Sequence, residues 1–84
     1  MFKIIYARSV VKDLKKIDHS KLIKIKQRIE ELKEFPNISQ IKQLMNHPVA
    51  DYRLRIGNYR ILFDVNWEAK EIYILKIGHR REIY

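Results

Sequence analysis

Two runs of alternating residues, meeting at Gly57-Asn58, constrain this chain more tightly than anything else in it. Tyr52, Leu54 and Ile56 alternate with Arg53 and Arg55; Tyr59, Ile61, Phe63 and Val65 alternate with Arg60, Leu62 and Asp64. A period of two marks a strand with one buried face. The Gly-Asn pair predicts a two-residue hairpin loop, because glycine accepts the positive φ that a type II′ turn needs at its first position. Closing the hairpin there sets the register. Ile56 faces Tyr59, Arg55 faces Arg60, and Arg53 lies one pair further along. Residues two apart share a face, so Arg53, Arg55 and Arg60 project from one side. Tyr52, Leu54, Ile56, Tyr59, Ile61 and Phe63 line the other, which must be covered.

The first half of the chain supplies the cover. Phe2 to Ala7 is short, apolar and aromatic and reads as a strand. From Ser9, a plausible N-cap, the period becomes helical: Val10, Val11, Leu14 and Ile17 form one face, with Lys12, Asp13, Lys15 and Lys16 on the opposite, solvent-facing side. Asp18 or Ser20 caps a second helix, in which Leu22, Ile25, Ile29, Leu32 and Phe35 make one apolar stripe that Pro36 ends. Residues 37–49 read as a connecting loop. After the hairpin, Asn66 to Ala69 makes a turn, and Glu71 to Gly78 is a last strand whose Ile72, Tyr73, Ile74, Leu75 and Ile77 predict burial on both faces. The order is β-αα-βββ. It predicts an α+β fold, an N-terminal strand and helical hairpin packed on a mainly antiparallel twisted sheet, in a single domain over residues 1–84. A chain of 84 residues buries roughly 60–65% of its unfolded surface, so its core only just supports it.

Charge says what the outer face is for. Eighteen Lys and Arg against ten Asp and Glu leave a net charge of +8, more than solubility needs, and a polyanion is the first partner to consider. Up to Lys42 there are nine Lys and two Arg, mostly on helices; from residue 51 there are two Lys and five Arg. Arg55 opposite Arg60 costs stability, a few tenths of a kcal/mol up to about 1. A wet sheet face tolerates such arginines if they splay into water. A pocket for an anion uses them, since guanidinium forks hold phosphate oxygens bidentately. The tail, with Arg80, Arg81 and Tyr84 after Gly78, adds cations and a phenol if it lies beside the hairpin. With no cysteine there is no disulfide scaffold and no thiol nucleophile. The histidines are scattered without ligand spacing and no Gly-rich loop exists, so neither a metal nor a nucleotide cofactor is expected. No apolar run is long enough to span a membrane and the N-terminus lacks a signal-peptide pattern, which makes a soluble cytoplasmic protein the expectation.

The segment from Tyr52 to Phe63, a short turn, a hydrophobic strand and then Gly78-His79-Arg80-Arg81-Glu82-Ile83-Tyr84 resembles the RelE/ParE superfamily of toxins from toxin–antitoxin modules, over essentially the whole chain and including the opening helix Lys12 to Ile17. In its RelE branch the resemblance implies an endoribonuclease that enters the ribosomal A site, among rRNA, and cuts the mRNA there. It carries site roles onto Arg53 and Arg55 before the turn, Arg60 after it, Arg80 after the glycine, and the terminal Tyr84. RelE-type sites commonly carry lysines before the turn, whereas both positions here are Arg. It also implies a cognate acidic antitoxin that covers the basic surface.

Metal-free RNA cleavage by the 2′-hydroxyl needs a base, cations around the phosphorane and an acid for the 5′-oxygen. Arg60 and Arg80 suit charge stabilisation, while Tyr84 suits stacking or proton transfer. Arginine is never deprotonated, so neither Arg53 nor Arg55 serves as base. His79 has a suitable intrinsic pKa. Lys12, Lys15, Lys16 and Arg81 are the expected RNA-binding cations around the site. Arg60 and Tyr84 are expected on an exposed face, where substitution leaves the fold intact. Two alternatives stay open: a ParE-like inhibitor of DNA gyrase that cuts nothing, and a catalytically inactive RNA-binding relative.

Overall fold

A computed structural model describes residues 1–83. The elements run β1 (Lys3–Tyr6), α1 (Arg8–Lys15), α2 (His19–Glu31) continued by a 3₁₀ turn (Leu32–Glu34), β2 (Ile41–Gln43), β3 (Tyr52–Ile56), β4 (Tyr59–Asn66), β5 (Glu71–His79) and a short helix α3 (Arg80–Ile83). The strands lie in the order β1-β5-β4-β3-β2. β1 runs parallel to β5 and the other pairings are antiparallel. The hairpin closes as its alternation demands: Gly57 takes φ +55°, Ile56 pairs with Tyr59, and Arg55 with Arg60.

The α2 stripe buries Ile25, Ile29, Leu32 and Phe35 against Leu54, Ile61 and Phe63 of the hairpin and Ile72, Ile74 and Ile77 of β5, with Val10 of α1 joining them. Each such side chain contributes about 1.5–3 kcal/mol on leaving water. Phe35 is the hub at one end, edge-on to Phe2, Tyr52 and Phe63. Trp67, in the turn after β4, lays its ring against Phe2 and Phe35 at 5.5 and 5.4 Å. No helix among the described residues is long and apolar enough to cross a membrane.

Four local expectations need correction. The loop expected over residues 37–49 contains β2, an edge strand registering Ile41 with Leu54 and Lys42 with Arg53. Three residues are too few to show a period. Helix α1 starts at Arg8 rather than after Ser9, with Ala7 at the cap position and no side-chain cap bond. The last strand is not buried on both faces: Tyr73 and Leu75 are only half-buried. Leu75 is also the extra residue of a bulge, since Leu62 pairs with Lys76 but Phe63 with Ile74.

The fourth correction concerns Asp13, expected on the solvent face. The last bond along the β1 side of β5 runs from the Ala7 N–H to the Ile74 carbonyl, and β1 has already ended. Beyond it the Ile77 N–H has no strand partner on that side. The Asp13 carboxylate accepts it at 3.2 Å. An unmet buried amide is costly, and a helix residue takes the place of a strand.

Candidate functional site

Register builds the site. On the sheet face away from the core, Arg55 stands opposite Arg60, and Arg60 opposite Gly78. One step along, Lys42, Arg53, Leu62 and Lys76 line up across β2, β3, β4 and β5. Leu62 is 0% exposed yet lies outside the main core cluster. Its cross-strand neighbours are Arg53 and Lys76, whose long aliphatic stems can shield it while their charged ends stay at the surface. The same face carries Asp64, opposite Tyr73. Asp64 accepts the Asp51 N–H at 2.6 Å. The Tyr73 hydroxyl donates to Glu71 at 2.6 Å, a bond that holds its pKa above the usual phenol value.

Arg60 corrects an expectation. It is only 7% exposed, not a side chain splayed into water. Its Nη1 donates to the Gly57 carbonyl at 2.9 Å and to the Tyr59 carbonyl at 3.0 Å, and its Nε is buried without a hydrogen-bond partner. The tight turn presents both carbonyls to one guanidinium, so the cation is positioned before any ligand arrives. Arg55 is exposed and Arg53 half-buried.

The tail does lie beside the hairpin. The Arg80 N–H donates to the Asn58 carbonyl at 2.8 Å, pinning the start of α3 to the turn. Gly78 lets α3 close down: a Cβ there would lie 3.3 Å from Glu82 Oε2 and 3.4 Å from Ile83 Cδ1. Arg80 and Arg81 are exposed. His79 registers with Tyr59, on the core side of the sheet; their rings are 5.8 Å apart, and its Nδ1 accepts the Arg81 N–H at 3.3 Å. The structure thus brings Arg53, Arg55 and Arg60 to one face and sets the His79 side chain on the other. Tyr84 lies outside the described residues.

Lys12 and Lys15 are exposed on α1, in the helical layer across the sheet from the arginines. Lys16 instead lines a crevice at the free edge of β5 with Lys76, Gly78 and Glu82. Lys42 and Lys76 share the arginine face, and sequence reading missed both. Lys42 falls in a segment whose pattern reads as loop. Lys76 stands two residues before Gly78, within an apolar run that reads as a buried strand. Among the described residues, ion pairs join Arg28 to Glu31 and Lys33 to Glu30; neither involves Lys42, Arg55, Arg60 or Lys76.

Residues 4–84 match the family described as the ParE toxin of the type II toxin–antitoxin system parDE. The chain belongs to this family. It is a toxin of a type II toxin–antitoxin system, and its relatives make it RelE-like. Toxin RelE3 of Methanocaldococcus jannaschii is 35% identical over 89 residues, covering 98% of this chain and 94% of that one. Among solved structures, the RelB–RelE antitoxin–toxin complex from Methanococcus jannaschii contains a chain that matches with TM-score 0.77 and 34% identity, covering 95% of this toxin and 94% of the other. The RelBE2 toxin–antitoxin complex from Mycobacterium tuberculosis matches in fold, with TM-score 0.82 and 22% identity over 94% and 98% of the two chains.

Proposed function

We propose that this toxin is a ribosome-dependent endoribonuclease that cuts mRNA in the ribosomal A site and so inhibits translation. The observation that carries the reading is Arg60, a buried guanidinium locked to the Gly57 and Tyr59 carbonyls with Arg55 directly across the hairpin. Two cations held together against their repulsion suit a phosphate whose charge grows in the transition state. The bond broken is phosphorus to the 5′-oxygen, and the attacking group is the substrate's own 2′-hydroxyl. Arg53, Arg55, Arg60 and Arg80 stabilise the phosphorane. Tyr84 stacks on a base or moves a proton. His79 is the candidate base, since an imidazole nitrogen can accept the 2′-hydroxyl proton, and reaching the phosphate would need its ring to leave Tyr59. No metal and no cofactor enter this scheme.

The solved RelB–RelE complexes support a partner by likeness: a cognate acidic antitoxin that neutralises the basic surface, in the cytoplasm. The match to the ParE family favours a second reading, inhibition of DNA gyrase without cleavage. A cell-free translation reaction with purified toxin separates the two. Cleavage of ribosome-bound message is expected. Normal translation accompanied by gyrase-dependent DNA damage would overturn the nuclease reading in favour of the second. Message bound but left intact would mark an inactive RNA-binding relative.

A further inference from the structure

We infer that the row Lys42–Arg53–Leu62–Lys76 is a track for the backbone of single-stranded RNA, crossing the strands beside the Arg55–Arg60 pair, with Lys42 and Lys76 holding phosphates on either side of the one that is cut. The inference rests on the nuclease reading above and extends it to two residues that reading does not use.

Geometry comes first. Lys42 pairs directly with Arg53, and Arg55 with Arg60, so two like-charged cross-strand pairs sit next to each other on one face. The Arg55–Arg60 pair costs stability. Asp64 and Glu71 share the face, but each is engaged, one by the Asp51 N–H and the other by the Tyr73 hydroxyl. Glu82 lies in the same crevice as Lys76, but among the described residues no ion pair joins Lys42 or Lys76 to a carboxylate.

Length then selects the ligand. From β2 to β5 is three inter-strand steps, about 14 Å at ordinary strand spacing. One guanidinium fork already spans a single phosphate, so a row this long fits linked phosphates. The ligand is single-stranded because the face presents individual side chains on a sheet, and the helix beside it, α3, has only four residues, too short to fill a groove.

The test uses a fluorescent RNA strand carrying 2′-O-methyl riboses throughout, so that binding is read without cleavage, titrated at several salt concentrations against the intact toxin. Lys42→Gln and Lys76→Gln should each weaken binding about 3- to 10-fold at low salt. Each should also flatten the slope of log K against log salt by about 0.7, the value for one phosphate on a single strand. Lys26→Gln, exposed on α2 across the sheet, should leave the slope unchanged. Circular dichroism checks that every variant is folded. Wild-type affinity and slope in both sheet variants would overturn the track. So would equal losses in Lys26→Gln, or equally tight, lysine-dependent binding of an acidic peptide of matching charge. The two readings fail separately. A toxin whose binding depends on Lys42 and Lys76 but which leaves ribosome-bound message intact keeps the track and loses the nuclease. One that cuts message equally well without these lysines keeps the nuclease and loses the track.

Discussion

Arg55 and Arg60 stand directly opposite each other across the β3–β4 hairpin, one exposed and the other only 7% exposed. The buried partner is fastened to the carbonyls of the turn that creates the pairing, so hairpin and cation form one unit. The exposed partner has no such fastening among the described residues. The two arginines should therefore respond differently to substitution.

Arg55→Gln removes the repulsion and leaves the turn alone. Thermal or urea denaturation should show a gain of a few tenths of a kcal/mol up to about 1, while toxicity on expression in cells falls by an order of magnitude or more. A variant that is both less stable and fully toxic would show that the pair is neither strained nor functional.

Arg60 should report on fold and function together. Arg60→Ala deletes two charge-assisted bonds to backbone carbonyls, and the expected loss is about 1–3 kcal/mol. In a domain this small that is a large share of the total. Arg60→Lys keeps the charge but not the fork, so stability should recover in part while activity stays low. Urea midpoints and growth assays on both variants decide the matter. Full toxicity in Arg60→Lys would show that only net charge is needed there.

The hairpin, its register and its arginine face were legible because they rest on alternation and on one Gly-Asn pair, both local signals. The stripe from Ile25 to Phe35 was legible for the same reason. What escaped notice depends on neighbours far away in sequence. Asp13 looked like one more solvated helix residue, because nothing near it announces the stranded Ile77 amide. Lys42 looked like loop, because a three-residue edge strand has no period of its own and exists only by pairing with β3. Arg60 looked exposed, because parity gives a face and not the depth at which the turn carbonyls hold it. Trp67 looked like turn residue, although its ring closes the core over Phe2 and Phe35.

Asp13→Ala tests the most distant of these links. The Ile77 N–H would lose its acceptor at 3.2 Å, and an unmet part-buried amide costs about 1–3 kcal/mol. Asp13→Asn keeps an acceptor oxygen and should lose less than half as much. Hydrogen exchange read by NMR should show the Ile77 amide speeding up in the alanine variant, with the Ile61 amide, in the middle of the hairpin, changing only as far as global stability does. Unchanged protection at Ile77 would mean that another group meets it.

Gly78→Ala separates the tail's role from that of the sheet. A methyl group there would sit 3.3 Å from Glu82 Oε2 and 3.4 Å from Ile83 Cδ1, so the Glu82 side chain must give by a few tenths of an ångström. A strand accepts alanine, and losing glycine's freedom in the unfolded chain returns about 0.4–1 kcal/mol. Overall stability should therefore shift by less than about 1 kcal/mol in either direction. Activity should fall, because crowding Glu82 and Ile83 disturbs the seat of α3, which carries Arg80 and Arg81, while every sheet arginine stays in place. Denaturation curves with a toxicity assay give both readings on one variant. A folded Gly78→Ala toxin of full potency would mean that the tail is not part of the site, and the site would reduce to the cations of the sheet.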